Sequence, residues 1–343
     1  MVVLGNTDWE FPLWPNGFVA IIFDNMATGS RGGWEVVYMS TQKIVPHLWF
    51  DKEAKEAAQF YTSIFPGSEI TFVYRLNNTP SGDFDVVEFD LSGYSFIVID
   101  GGPFFEKNPS ISFFVNFDPS KDIHAKENLD RLWEQLSQGG EVLMPLQEYP
   151  FSKHYGWIQD RYGLSWQLIL TDPDGEGRPF IVPSLMYTHD SYGKAEDASD
   201  FYISVFKNSR RGLMARYPAG MEPDKEGTVM YTDFMLENQW FTAMDSAYPH
   251  KFGFNEAISL MVQCEDQDEI DYFWEKLSAD PEAEQCGWLK DAYGVSWQIS
   301  PVAMEEMMRK GTQQQIDRVT QVFLDMKKVD IGKLEEAFEG EGP

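Results

Sequence analysis

Apolar positions along this chain switch between two spacings, and the order of the switches recurs. Ile44 to Phe50 (IVPHLWF) is a short apolar run and predicts a strand. Asp51 follows as a potential N-cap, and Ala54, Ala57, Ala58, Tyr61 and Phe65 then recur every three or four residues, which predicts an amphipathic helix. After Pro66–Gly67 come three strand-like runs, EITFVYRL, DVVEFDLS and YSFIVID, with a Ser92–Gly93 turn joining the last two. The unit reads β-α-β-β-β. It restarts at Ile111–Phe117, where Asp118–Pro119 predicts a cap and a first helical position. Ile123, Leu129, Leu132, Trp133 and Leu136 mark the next apolar face, Gly139–Gly140 stops it, and three further strand-like runs end in GLSWQLIL.

The second half repeats the first. YGWIQDRYGLSWQLIL at 155–170 returns as CGWLKDAYGVSWQISP at 286–301, a constant offset of 131. IVPHLWF returns as IVPSLMY, AAQFYTSIF as ASDFYISVF, and RLWEQLS as YFWEKLS, in the same order. Asp266 and Glu269 form a D-x-x-E capping signal before Ile270, Phe273, Trp274 and Leu277. The offsets drift between about 130 and 150, so loops differ in length while elements persist. A period this long excludes a solenoid and indicates two homologous domains, hence four β-α-β-β-β modules. The expected organisation is an N-terminal extension (1–43), a first domain (44–171), a Gly-, Pro- and Asp-rich linker (172–180), a second domain (181–301) and a helical tail (302–343). Met304, Met307 and Met308, then Ile316, Val319, Val322, Phe323 and Met326, have helical spacing. They predict two or three closing helices over a sheet face or a domain seam. Residues 1–43 have no counterpart before the second domain, and the repeat suggests a natural start at Met39.

The bulk numbers exclude some partners. A formal net charge of −28 argues against nucleic acid and anionic membrane, because phosphate would be repelled. No apolar run approaches the roughly 20 residues of a membrane span. The chain's 2 cysteines, Cys264 and Cys286, do not make a disulfide framework. With no basic leader at the N-terminus, a cytoplasmic location with free thiols is expected.

PHLWFD, EAAQFYTSIFPGSEI, GWIQDRYGLSWQ, FNEAIS, QCGWLKDAYGVSWQISP and MKKVDIGKLEEA together resemble the PhnB-like family of the vicinal-oxygen-chelate superfamily, over about 44–340. That superfamily includes glyoxalase I, bleomycin- and fosfomycin-resistance proteins and extradiol dioxygenases. The resemblance implies an α+β fold in which paired β-α-β-β-β modules curl into half-barrel sheets around a cleft. It also implies a site. In the superfamily's metalloenzymes the last strand reads D-x-x-G-x-x-x-E, and the glutamate binds a divalent metal. Here the frames are Asp160, Gly163, Gln167 and Asp291, Gly294, Gln298, with glutamine where the carboxylate would be. The first-strand ligand, commonly histidine, falls on His47 and on Ser184. The first strands of the second modules offer Ser112 and Ser259, and the fourth position falls near Ile99–Asp100 and Met244–Asp245.

These residues make a poor metal set, since a transition ion wants about three nitrogen, thiolate or carboxylate donors. His47 and Gln167 are the candidate metal ligands of the first domain, and the expectation is that no cofactor is required. Candidate ligand contacts are His47, Trp49, Ser112, Trp166, Gln167, Ser184, Ser259, Trp297 and Gln298, with Trp157 and Trp288 as further cleft walls. Cys286 reads as an inert, half-buried thiol and His250 as a loop residue. Members of the family are often labelled ubiquinone methyltransferases, but no glycine-rich strand-to-helix turn that would hold a nucleotide-like methyl donor occurs in this chain. The expected function is small-molecule binding without a tight metal. The alternatives are a metal-dependent lyase, isomerase or dioxygenase working from the first domain, and a degenerate structural duplicate. The expected assembly is a pseudo-dimeric monomer or a homodimer.

Overall fold

The computed structural model describes residues 20–22, 36–38 and 42–340. Strands β1 (Ala20–Ile22) and β2 (Val36–Tyr38) pair antiparallel within a small N-terminal unit of their own. The suggested start at Met39 lies outside the described residues.

From residue 42 the modules follow the expected order. The first is β3 (Ile44–Phe50), α1 (Ala54–Ile64), β4 (Glu69–Thr79), β5 (Gly82–Leu91) and β6 (Tyr94–Asp100). The second is β7 (Ile111–Phe117), α2 (Ala125–Leu136), β8 (Glu141–Tyr149), β9 (Ser152–Gln159) and β10 (Ser165–Leu170). The third is β11 (Ile181–Tyr187), α3 (Ala195–Val205), β12 (Arg210–Arg216), β13 (Val229–Leu236) and β14 (Gln239–Asp245). The fourth is β15 (Ile258–Cys264), α4 (Gln267–Leu277), β16 (Trp288–Lys290) and β17 (Ser296–Pro301). It falls one strand short of the expected module. Trp133 and Trp274 stand 141 residues apart but Trp157 and Trp288 only 131, so the stretch between helix and GW strand has lost ten residues, and with them the counterpart of β8.

The modules pair across the halves. A 7-stranded sheet of order β16-β17-β15-β3-β6-β5-β4 joins the first module to the fourth, and an 8-stranded sheet of order β12-β13-β14-β11-β7-β10-β9-β8 joins the second to the third. The seams are antiparallel, with His47 opposite Ser259 and Ser112 opposite Ser184. On each sheet, alternation sends one set of side chains to the helices and the other to the outer face. The helix-side sets, including Leu48, Val98 and Leu260 of one sheet and Phe113, Leu168 and Leu185 of the other, merge with α1–α4 into one continuous core.

Two identical nodes tie the modules of one half together where no strand pairing does. Asp160 is buried in the turn before β10. It accepts hydrogen bonds from the Tyr61 hydroxyl on α1 (2.9 Å), Trp166 Nε1 (2.8 Å) and the backbone N–H groups of Tyr162 and Leu164. Asp291 repeats this with Tyr202 (2.6 Å), Trp297 (2.8 Å), Tyr293 and Val295. Burial pushes both carboxyls up, while four donors each hold them down. Gly163 and Gly294 give these turns their left-handed residue, at φ 79° and 90°. The repeated D-x-Y-G-x-S-W phrase is therefore a folding device.

Two caps differ from expectation. The α1 N-terminus is capped from β6, where Asp100 accepts the Ala54 N–H at 2.8 Å, and Asp245 does the same for Ala195 on α3. Asp118 closes a local turn on the Ser120 N–H (2.9 Å), so α2 starts only at Ala125 and Ile123 is left exposed.

The tail forms α5 (Val302–Lys310), α6 (Gln313–Leu324) and α7 (Ile331–Glu339). Helix α6 lies along β4, with Asn77 bonded to Asp317 and Gln313 to the Arg75 carbonyl. Beyond it, the Met326 and Lys327 carbonyls accept the Cys286 and Gly287 N–H groups, so the tail occupies the edge that β8 holds in the other sheet.

A candidate ligand cavity on one of two clefts

The outer face of the 7-stranded sheet encloses a cavity of about 490 Å³, roofed by Met304 and Met308 of α5 and Thr320, Phe323 and Leu324 of α6. Its floor follows the strand alternation: His47 and Trp49 on β3, Ile97 and Ile99 on β6, Glu88 on β5, Met261 on β15, Gln298 on β17 and Trp288 on β16. His47 stands in register with Ile97, which stands in register with Glu88. At a strand spacing of ~4.8 Å the imidazole and the carboxylate sit roughly 10 Å apart along one row.

His47 is 5% exposed, its Nδ1 has no hydrogen-bond partner among the described residues, and its ring meets Trp288 edge-on at 5.8 Å. Burial lowers its pKa to about 3, so the imidazole is neutral at physiological pH. Gln298 donates to Ser259 Oγ at 2.8 Å, and no described residue donates to its Oε1. The Trp49 indole donates to the Gly102 carbonyl at 2.7 Å and lies so close over Gly101 that a Cβ there would meet the ring at 2.2 Å. Glu88 pairs with Arg309 of α5 and faces Glu305. Burial and that second carboxylate push its pKa up to about 7 against the pull of the guanidinium.

The 8-stranded sheet has the same positions with other side chains. Gln167 corresponds to Gln298, Ser112 to Ser259 and Ser184 to His47. Gln167 donates to Ser112 (2.9 Å) and also accepts from the Tyr155 hydroxyl (2.6 Å), so its amide is satisfied. Phe114, Tyr155, Val182 and Trp240 pack together across the face with Trp157, Tyr231 and Met244 against them. By register, Tyr155, Phe114 and Tyr231 take the places of Cys286, Met261 and Val86 in the open cleft. Rings fill one cleft where a thiol, a thioether and a valine leave the other open.

The structure separates several residues that the sequence placed together. His47 and Gln167 lie on different sheets, so they do not converge; the neighbours of His47 are Ser259 and Gln298 from the other half. Trp166 and Trp297 are fully buried on the helix side with their N–H groups on Asp160 and Asp291, away from the cavity. Strand alternation explains this, since each adjoins a glutamine that faces the cleft. Trp49 and Trp288 line the cavity, Trp157 donates to Ser165 Oγ in the closed cleft, and Ser184 Oγ is buried there without a partner. Asp100 and Asp245, near the fourth ligand position, are engaged as helix caps. Glu88 was not singled out from sequence, and the tail residues Met304, Met308 and Phe323 were read as helical cover rather than as cavity lining. The signal available was a glutamate inside the apolar run DVVEFDL.

The donors around His47 do not fit a divalent transition metal. They are one nitrogen, one amide oxygen and one hydroxyl, with isoleucines at 97 and 99 where a further ligand would stand. The other cleft offers no nitrogen ligand at these positions. No group of three or more His, Cys, Asp and Glu able to hold a metal occurs among the described residues.

Comparison with known proteins places the chain. The sequence model of a family described as 3-demethylubiquinone-9 3-methyltransferase matches residues 42–169 and again 179–300. No curated protein matches. Among solved structures, the PhnB protein of Bacillus cereus is 39% identical, covering 38% of this chain and 100% of its own, with a TM-score of 0.34. A Staphylococcus aureus protein is 30% identical over 39% of this chain and 100% of its own, with a TM-score of 0.16. Glyoxalase I of Zea mays is 12% identical over 75% of this chain and 92% of its own, with a TM-score of 0.45. With both halves matched in order, the chain belongs to the PhnB-like family, whose family model carries the 3-demethylubiquinone-9 3-methyltransferase name, as two tandem copies.

Proposed function

We propose that this protein binds a small molecule in the cavity of the 7-stranded sheet, and that the closed cleft is structural. The observation that carries this reading is the buried His47 Nδ1, which has no partner among the described residues and belongs to a wall residue of a 490 Å³ space. An unpaired buried nitrogen costs roughly 1–3 kcal/mol, which a ligand hydrogen bond would recover. The free Gln298 Oε1 offers a second polar contact, and Trp49, Trp288, Phe84 and Phe105 supply apolar walls. His47 suits binding better than acid–base catalysis. An imidazole whose pKa is near 3 is a weak base at neutral pH and has no acid–base partner bonded to it. Neither the metal set nor the methyl-donor turn is present to support lyase, dioxygenase or methyltransferase chemistry through this site.

The test is thermal melting of the full chain with planar compounds, starting with 2-naphthalenemethanol, alongside tryptophan fluorescence. Binding to the native state raises Tm by mass action. A concentration-dependent rise with quenching of the cavity tryptophans is expected. An unchanged Tm across the panel up to millimolar concentrations would sink the reading.

A further inference from the structure

We propose that the cavity selects an organic cation, an aromatic or planar body carrying one ammonium-type charge. This rests on the small-molecule reading above and names the class of ligand.

Charge does not balance around this cavity. Among the described residues the wall carries three carboxylates, Glu88, Glu256 and Glu305, and no lysine or arginine. Glu256 is matched by Lys290 at 2.7 Å. Glu88 and Glu305 share one guanidinium, that of Arg309, and Glu305 takes its other bond from the neutral Gln263 (3.0 Å). His47 supplies no charge. The closed cleft shows what balance looks like at the same place. Asp233 is the counterpart of Glu88 by register, and there Asp233 and Glu176 face Arg178 and Arg210, two against two. Arg309 and Arg178 both lie in the segment after the last strand of a module, β17 and β10 respectively, while Arg210 lies on β12. In the open cleft α5 brings a second carboxylate with it, and one negative charge is left over beside an apolar space.

A cation would settle that charge, and the walls suit it. Trp49, Tyr74, Phe84, Phe105, Trp288 and Phe323 surround the cavity, and aromatic faces attract cations, most strongly where water is excluded. The competing solution is a proton on Glu88, whose pKa stands at about 7. The groups facing Glu88 are Tyr74 from β4, Glu305 and Arg309 from α5, and His47 in its own row. Tyr74 is pushed up and His47 down to about 3, so neither changes charge near neutrality. A bound cation and that proton exclude each other, so affinity for a cation rises with pH across 6 to 8.

The experiment is calorimetric titration of the full chain with (2-naphthylmethyl)trimethylammonium, 2-naphthalenemethanol and 2-naphthaleneacetate at pH 6, 7 and 8. The expected result is ammonium at least tenfold tighter than alcohol at pH 8, with carboxylate weakest and the ammonium advantage shrinking at pH 6. Glu88→Gln leaves one carboxylate for one arginine and brings the ammonium-to-alcohol ratio towards one. Glu305→Gln makes the same balance by another route should the first variant fold poorly. Alcohol binding as tightly as ammonium at every pH overturns cation selection and leaves small-molecule binding standing. No binding by any of the three at millimolar concentration overturns both.

Discussion

The two outer faces of this molecule are built from the same repeated strands, yet one encloses a cavity and the other closes on itself. Their polar centres are alike: a glutamine on the last strand donates to a serine on the neighbouring strand, at 2.9 Å in one and 2.8 Å in the other. What differs is what surrounds the amide. Tyr155 satisfies Gln167 and fills the space in front of it, whereas Cys286, its counterpart, turns its thiol to the Leu324 carbonyl at 3.4 Å. The lost β8 counterpart then opens an edge that the C-terminal helices occupy and roof over. The scaffold therefore does not dictate a binding site. A few side-chain volumes and one shortened loop decide which copy keeps a cavity.

The strongest way to break the comparison is at the nodes, where the halves should behave alike. Asp160→Ala and Asp291→Ala each leave a tyrosine hydroxyl, an indole N–H and two backbone N–H groups without their buried acceptor. Each should cost about 3–5 kcal/mol by urea denaturation. A large effect at one node only would show that the halves are not equivalent in stability.

The clefts should diverge when the tyrosine and its counterpart are cut back. Tyr155→Ala should lose about 3 kcal/mol and create a second binding site for 2-naphthalenemethanol, while Cys286→Ala should change stability by under about 1 kcal/mol. Equal losses at the two positions would contradict the account of why one cleft is closed.

Acid should report on His47. Its folded pKa of about 3 lies below the ordinary value of 6.5, so above pH 6.5 it is neutral folded and unfolded. As pH falls below 6.5 the unfolded chain gains a proton that the folded chain refuses until about pH 3, and stability is lost through that window. One such proton costs up to about 1.4 kcal/mol per pH unit. His47→Phe should therefore lose less stability than the parent between pH 6.5 and pH 4, read from paired urea midpoints. Parallel pH profiles would place the imidazole in contact with water.

The gentlest change copies the closed cleft into the open one. Met261→Phe installs the counterpart of Phe114, and should shift stability by no more than about 1 kcal/mol while abolishing naphthalene binding. Retained binding would place the ligand elsewhere.

The modules and their order could be read from sequence because each rests on local periodicity: an alanine-rich helix face after an apolar strand, a Ser92–Gly93 turn between strands and a Gly139–Gly140 stop after a helix. The expected helical cover after Pro301 likewise follows from methionines at helical spacing, although its target was left open between a sheet face and a seam. The sequence misled at single steps of the strand. Trp166 and Gln167 are neighbours and looked like one site, yet a period of two sends the indole to the core and the amide to the cleft. Caps were misread where the acceptor comes from a distant strand, as Asp100 does for α1, because no local pattern records such a partner.

By itself, then, the sequence determined four related modules, their hydrophobic faces and the repeated D-x-x-G frames that end in glutamine rather than a metal-binding carboxylate. Only the tertiary structure decided that the modules pair across the halves, so that His47 meets Ser259 and Gln298 rather than Gln167. The reason is physical. The first strands of all four modules present the same alternation to a partner, so either pairing satisfies the backbone and buries apolar faces. The choice between them, and with it the content of each cleft, is made by packing between residues more than 200 positions apart, as with His47 and Ser259.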